Sequence, residues 1–548
     1  MAKPPEHPSN QRTLDRHTPH GRLGIQSTQA LAQVDHNPLQ DIRNEKDDTD
    51  LESIHPITSK GPSYSAFGIH EKRYIVFMAA FGGLFSSLPA NVYFPALNTL
   101  SAELHVSDEL INLTLTCYLI FQGLAPTIYG DLADMMGRRP VYILGFVIFI
   151  AANVGLALQN SYAALFILRC LQSTGSSGTI ALGNGVVADV SSMAERGVYM
   201  GFMVSGNMIG PAIGPVLGGI LSQYLGWRSI FWFLVILSVA FLVPFLIAFP
   251  ETGRNIVGNG SIPPQRWNVS LFNYLKTRKI DCKAVEAAQE AEHPIMTETH
   301  AAKRKLKWPN PLKAIHIIME KDVAIILIYN ALVYTAWFDV TTSLPTLFAE
   351  MYGFDDLQIG LAFMPFGAGC VVASFLCGRL IDINYKRIAK ANNFTIDRKR
   401  GDDLRNFPIE KARIQVLYPF LALGVTALVA YGWVLQFEAP IVAPLILQFV
   451  MGLCLVGSYN VMCIMLVDLY PKSPATATAA NNLVRCLLGA GGTAIVIPMI
   501  NVMGRGWCFT FIAAILVLIS PILWVEVKWG PRWREDRRVR VESSQECK

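Results

Sequence analysis

Long uncharged apolar runs alternate along this chain with short polar connections. Ile230 to Phe249 carries no charge at all, and about 20 apolar residues in helix cross a bilayer core of about 30 Å. Twelve such runs can be marked. The first six are Tyr74–Ala96, Leu110–Gly130, Pro140–Leu158, Ala163–Val187, Val198–Leu221 and Ile230–Phe249. The second six are Val323–Phe348, Leu357–Ile381, Ile414–Leu435, Ala439–Leu469, Ala475–Val502 and Trp507–Val527. The pattern predicts an all-α polytopic membrane protein with twelve transmembrane helices in two pseudo-symmetric six-helix halves. The halves span 74–249 and 323–527. A polar N-terminal tail (1–73), a charged central loop (250–322) and a basic C-terminal tail (528–548) are expected to lie in the cytosol, the first of them disordered.

An internal repeat supports two related halves. Gly130-Asp-Leu-Ala-Asp134-Met-Met-Gly137-Arg138-Arg139 follows the second run, and Gly378-Arg-Leu-Ile-Asp382-Ile-Asn-Tyr-Lys386-Arg387 follows the eighth. Both read Gly-x-Leu-x-Asp with a basic pair at the same spacing. Asp189 closes the fourth run and Asp468 the tenth in the same way. Paired halves of this kind place a substrate site between them, near the membrane midplane.

Composition narrows the function. The 548 residues are 52% hydrophobic and only 16% charged, whereas soluble domains carry about 25% charged residues. The net charge of +5 forms no basic stripe with interleaved aromatics, so no nucleic-acid partner is expected. Ten cysteines are scattered without Cys-x-x-Cys or zinc spacing, so neither metal nor cofactor is expected. There is no phosphate-binding loop and no intramembrane cluster with catalytic spacing, which argues against an ATP-driven pump and against an enzyme. Short-loop cations set the orientation. Arg138, Arg139, Arg196, Lys386, Arg387, Arg398, Lys399 and Arg400 follow runs two, four and eight, which places both termini in the cytosol.

Several residues stand out against the apolar background. Arg169, with Gln172 beside it, lies inside the fourth run, where an arginine costs roughly 2.5–3.5 kcal/mol. Asp339 lies inside the seventh, and burial disfavours the charged form of a carboxylate, which suits a protonation switch. Asp134, Gly137, Arg138, Asp189, Asp382 and Asp468 form a candidate cytosolic gate, with Gly130 allowing close helix approach. The fifth run carries Gly206, Gly210, Pro211, Gly214, Pro215, Gly218 and Gly219, a small-residue face interrupted by prolines that reads as a bendable interface helix. Asn91, Tyr93, Tyr334, Trp337 and Arg485 are candidates for lining a central cavity, which would accept flat apolar molecules or organic cations.

At these residues the chain resembles the major facilitator superfamily over roughly residues 70–530. Gly130–Arg139 is similar to the family's first signature, with Met135 where a basic residue is usual. Arg169-x-x-Gln172 resembles the fourth-span signature linked to proton coupling, and Gly206–Gly219 the fifth-span signature of antiporters. Pro89–Ala96, Pro250–Arg254 with Val257–Pro263, Asp468–Pro471 and Asn481–Arg485 resemble the fungal twelve-span drug:proton antiporters of the quinidine-resistance type. The resemblance implies a monomer that exchanges protons for small organic molecules (drugs, toxic compounds or secondary metabolites) by alternating access. Arg169, Gln172 and Asp339 would couple protons and the span-five glycines would hinge. It implies a plasma or vacuolar membrane. Organic-acid export of the citrate or itaconate type and polyamine export are the alternatives within this class, and a non-transporting membrane sensor is the alternative outside it.

Overall fold

Inside a bilayer no water is available to backbone N–H and C=O groups, so spanning segments satisfy them internally as helices. The computed structural model describes residues 65–191, 193–262, 264–265, 268–271, 312–392, 407–470 and 474–546, and among them no strand occurs. The first half contains α1 (Ile69–Asn91), α2 (Asp108–Met136), α3 (Arg138–Leu158), α4 (Tyr162–Val190), α5 (Met193–Leu225) and α6 (Arg228–Ala248). The second contains α7 (Lys321–Tyr352), α8 (Met364–Ala391), α9 (Ile409–Gln436), α10 (Val442–Leu469), α11 (Pro474–Met503) and α12 (Arg505–Ile519). A further helix, α13 (Pro521–Glu546), follows after Ser520. Short helices at Leu97–Leu104, Arg254–Val257, Leu312–Ile318 and Asp356–Ala362 connect them. Most of the expected N-terminal tail and central loop, with Pro263, Arg398, Lys399, Arg400 and Pro471, lies outside the described residues.

Packing repeats with the halves. The pairs α1–α5, α2–α4, α3–α4, α1–α4 and α3–α6 have counterparts in α7–α11, α8–α10, α9–α10, α7–α10 and α9–α12. The halves meet along α2–α11 and along α5 against α8 with its preceding short helix, again a symmetric pair.

Among the described residues ten helices are long and apolar enough to cross a membrane, and Ile209–Leu225 is a shorter apolar stretch. α4 is not among the ten. Arg169, Gln172, Ser173, Ser176, Ser177 and Thr179 interrupt its hydropathy, and every one of them is buried. α4 turns only a narrow apolar strip outward, with Ile167 and Leu171 exposed, and buries its polar side chains against neighbouring helices.

The glycine face of α5 is a seam. A Cβ at Gly206 would strike Ala80, at Gly210 Ser87 and Leu88, at Gly214 Asn91, and at Gly218 Val92. All belong to α1 or the residue that caps it. α5 continues as one helix through Pro211 and Pro215, and these four glycines hold it against a helix of its own half. Gly219 faces the other way, toward Asp356, Leu357 and Gly360 of the second half.

The C-terminal segment, expected as a tail from 528, is instead the docked helix α13. Arg537 pairs with Asp322 at 2.7 Å, donates to the Leu469 carbonyl at 3.1 Å and lies 4.2 Å over Tyr470. Arg534 pairs with Glu410 at 3.4 Å and donates to the Phe407 carbonyl at 2.9 Å. Glu526 is fully buried beside them. The helix thereby ties together the ends of α7, α9 and α10.

Two outcomes are expected. Arg537→Ala strands a buried carboxylate and should cost about 3–5 kcal/mol of stability, read as a lowered thermal midpoint of purified protein. Gly218→Val should prevent α1 and α5 from meeting and reduce folded yield, whereas Gly201→Ala, with nothing within 4 Å, should leave yield unchanged.

Candidate functional site

α4 carries Arg169 to the centre of the first half, where it is completely buried. α1 stops at Asn91, so the Pro89 carbonyl has no helical donor and accepts from Arg169 Nη1 at 3.5 Å. The same nitrogen donates to Gln172 Oε1 at 2.5 Å, and Gln172 donates to Asn153 Oδ1 at 2.7 Å. The guanidinium lies between two rings, 4.1 Å from Tyr93 and 4.4 Å from Tyr118. Among the described residues its buried Nε and Nη2 have no hydrogen-bond partner and no carboxylate pairs with it. Tyr93 is therefore not a cavity residue. It is fully buried, and its hydroxyl bonds Thr114 Oγ1 at 3.0 Å. Asn91 also lies apart from the central aromatics, packed against Gly214 with its amide on the Ser87 carbonyl at 2.7 Å.

Asp339 on α7 is the counterpart problem, a carboxyl without a cation. It is 4% exposed and its Oδ1 has no hydrogen-bond partner. Gly492 of α11 makes room for it, since a Cβ there would lie 2.6 Å from Oδ1. One residue on, Thr493 bonds Thr116 across the halves at 3.1 Å.

Arg485 on α11 is only partly buried. It lies 4.7 Å over Tyr334 and 5.7 Å from the Tyr459 ring. Its Nε and Nη2 donate to Asn482 Oδ1 at 3.0 and 2.5 Å. Asn482 in turn donates to the Gln122 carbonyl of α2 at 2.8 Å. Trp337 completes the cluster, 5.4 Å from Tyr334 and 6.3 Å from Tyr459. Tyr334, Trp337 and Arg485 are thus brought together, with Tyr334 and Trp337 buried and Arg485 partly exposed. Tyr459 and Asn482 were not anticipated. The only sequence signal for Tyr459 is a polar ring in Ser458-Tyr459-Asn460 within an otherwise apolar run.

At one end of the first half, α2 stops and Gly137 turns the chain at φ +106°. The turn swings Arg138 back between Asp134, at 2.8 Å, and Asp189, at 2.9 Å. Glu251, absent from the expected gate, caps the new helix: it accepts the backbone N–H of Arg138 at 2.8 Å and of Arg139 at 3.1 Å. A carboxylate at a helix N-terminus meets orphan donors and the positive dipole end. The second half solves the same place differently. Tyr385 occupies the position of Gly137 and α8 runs on to Ala391, so Lys386 is carried along the helix. Asp382 is left exposed and joins no pair, which corrects its place in the gate. Asp468 pairs instead with Arg413 at the start of α9, at 2.8 Å. Gly130 and Gly378 have nothing within 4 Å, so neither mediates a close helix approach here.

The two halves join at the opposite end. Asp356 accepts from Thr99 at 2.7 Å and from Ser222, and Asn98 donates to the Pro345 carbonyl at 2.9 Å. Among the described residues, the ion pairs at the Arg138 end all stay within one half.

Asp468→Asn should weaken a largely buried pair and cost about 1–3 kcal/mol, whereas Asp382→Asn should leave the thermal midpoint of purified protein unmoved. Equal effects would contradict the asymmetry between the halves.

A family model described as Major Facilitator Superfamily matches residues 79–493. The MFS-type transporter phiD of a fungal species is 43% identical over 474 residues, covering 86% of this chain and 70% of the relative. Citrate exporter 1 of Aspergillus niger is 36% identical over 518 residues, covering 92% of this chain and 96% of the relative. The human organic anion transporter MFSD10 (TETRAN) shares the fold at 16% identity, with a TM-score of 0.50 over 82% of this chain and 99% of that one. These curated relatives are membrane transporters. The chain belongs to the major facilitator superfamily.

Proposed function

We propose that this transporter is a proton-coupled exporter of small organic molecules that works by alternating access, in the branch of fungal drug:proton antiporters. The observation that carries this reading is Asp339, a buried carboxyl in α7 whose Oδ1 meets no hydrogen-bond donor and which pairs with no cation among the described residues. A group so placed crosses a closed core neutral, with a proton, and gives it up when its end of the cavity is wet. Gly492, against which it packs, and Arg485 lie seven residues apart on α11, about 10 Å along the helix. Loading or losing a proton at Asp339 therefore changes the field at the central cluster.

The pattern of contacts supports an inward-facing state. The halves are bonded through Asp356, Thr99, Ser222 and Asn98 at one end. At the other, Gly130 and Gly378 face open space, and loop cations assign that end, with both termini, to the cytosol. Arg138 with Asp134 and Asp189, and Arg413 with Asp468, would steady each half as it moves. The glycines of α5 would keep α1 and α5 moving as a unit. A plasma-membrane location is our reading. Among the alternatives, organic-acid export is favoured over polyamine export, because the exposed charge in the central cluster is a guanidinium, which repels ammonium groups.

Everted membrane vesicles with an imposed proton gradient should accumulate cargo when drugs, organic acids and polyamines are screened. Asp339→Asn should abolish gradient-driven accumulation while sparing cargo–cargo exchange, and Arg169→Ala should abolish both without loss of protein from the membrane. Full gradient dependence in Asp339→Asn would remove Asp339 from the coupling, and accumulation of no compound by the wild type would sink the antiport reading.

A further inference from the structure

We propose that the Arg485 cluster is a carboxylate subsite, and that the cargo is an organic monoanion with a flat apolar body. This rests on the export reading and deepens it. Two arginines lie in the middle of the bundle against pairs of tyrosines. Arg169 is sealed, fully buried with its Nη1 turned to Gln172 and Pro89. Arg485 is partly exposed and pairs with no carboxylate among the described residues. Nε and Nη2 are engaged by Asn482, while Nη1 makes no hydrogen bond. An uncompensated guanidinium at membrane depth is costly, and an incoming carboxylate both neutralises it and takes charge-assisted hydrogen bonds from its free edge.

The walls set the rest of the ligand. Tyr334 and Tyr459 face the guanidinium at 4.7 and 5.7 Å. Trp337 extends the aromatic surface and stacks on Phe366 at 5.9 Å. One guanidinium answers one carboxylate. The partly exposed ring of Tyr459 then offers its face to an aromatic or conjugated body. A second or third carboxylate on the cargo would find no cation in this cluster, so a tricarboxylate fits it poorly.

Asn482 gives the subsite a way to act on the transporter. Its Oδ1 accepts from Arg485, and its Nδ2 donates to the Gln122 carbonyl on α2, in the other half. An anion that draws Arg485 toward itself competes with Asn482, and Asn482 is one of the bonds that join the halves. We therefore assign Arg485 to binding and Asn482 to positioning.

The test is equilibrium binding to purified protein in detergent, without any gradient, using 2-naphthoate, its methyl ester, citrate and 2-naphthylmethylammonium as probes. Wild-type protein should bind naphthoate in preference to the other three. Arg485→Gln should weaken naphthoate roughly tenfold or more and leave the weak ester binding unchanged, which also reports that the variant is folded. Arg485→Lys should restore part of the naphthoate affinity. Asn482→Ala should keep naphthoate binding while lowering transport rate, a split that a merely structural role would not produce. The inference is overturned if naphthoate affinity survives Arg485→Gln, if citrate, the ester or the amine binds more tightly than the acid, or if folded wild-type protein binds none of the four. Because no gradient is applied, anion binding with failed proton coupling would refute only the antiport reading, and coupled transport of cations would refute only this one.

Discussion

A guanidinium carried to the middle of a bilayer has to be answered by something, and this chain answers it with tyrosine rings. Arg169 lies between Tyr93 of the α1–α2 connection and Tyr118 of α2, and Arg485 lies against Tyr334 of α7 and Tyr459 of α10. A carboxylate would cancel the charge, whereas a ring face stabilises it and leaves it present. Each contact also fixes three segments relative to one another. The arginines therefore organise the two halves.

That arrangement constrains the surrounding sequence. Rings can approach the arginine-bearing helices only where neighbours are small. Gly489 sits where a Cβ would come within 3.0 Å of Tyr334, and Gly492 makes the same allowance for Asp339. α4 gives up the hydropathy of an ordinary span because its polar side chains bond one another and its neighbours. The halves repeat in packing, but they differ in chemistry where function requires it. The first holds a sealed arginine and the Arg138 ion pairs, and the second holds a partly exposed arginine, a buried Asp339 and the Arg413–Asp468 pair.

The fold was largely legible in the sequence because the bilayer forces it. Backbone groups must bond internally, so runs such as Ile230–Phe249 have one reading, and the Gly130 and Gly378 repeat gives the two halves. Side-chain partners were harder to read. An aromatic at the end of an apolar run looks the same whether it lines a cavity or covers an arginine, which is why Tyr93 was misplaced. Asp134 and Asp382 share a motif, but one glycine turn separates their fates: Gly137 folds the chain back, and Tyr385 lets the helix continue. Glu251 acts through backbone donors, which leave no trace in spacing. The basic tail read as solvated because Asp322 and Glu410, which anchor it, lie more than a hundred residues away.

The seam between α1 and α5 has a mechanical consequence. With backbones touching at Ala80 and Val92, the two helices cannot shear and act as one strut. That strut bears on the second half from Ala212 to Gly219, with the outermost contact at Gly219 close to one of its ends. From Met193 to Gly219 is about 40 Å of helix, and from Gly219 to Leu225 about 10 Å. A rotation about the bearing point therefore displaces the far end about four times as far as the near end. In the alternating-access motion proposed above, such a lever would open a wide mouth on the Arg138 side for a small parting of the lip held by Asp356.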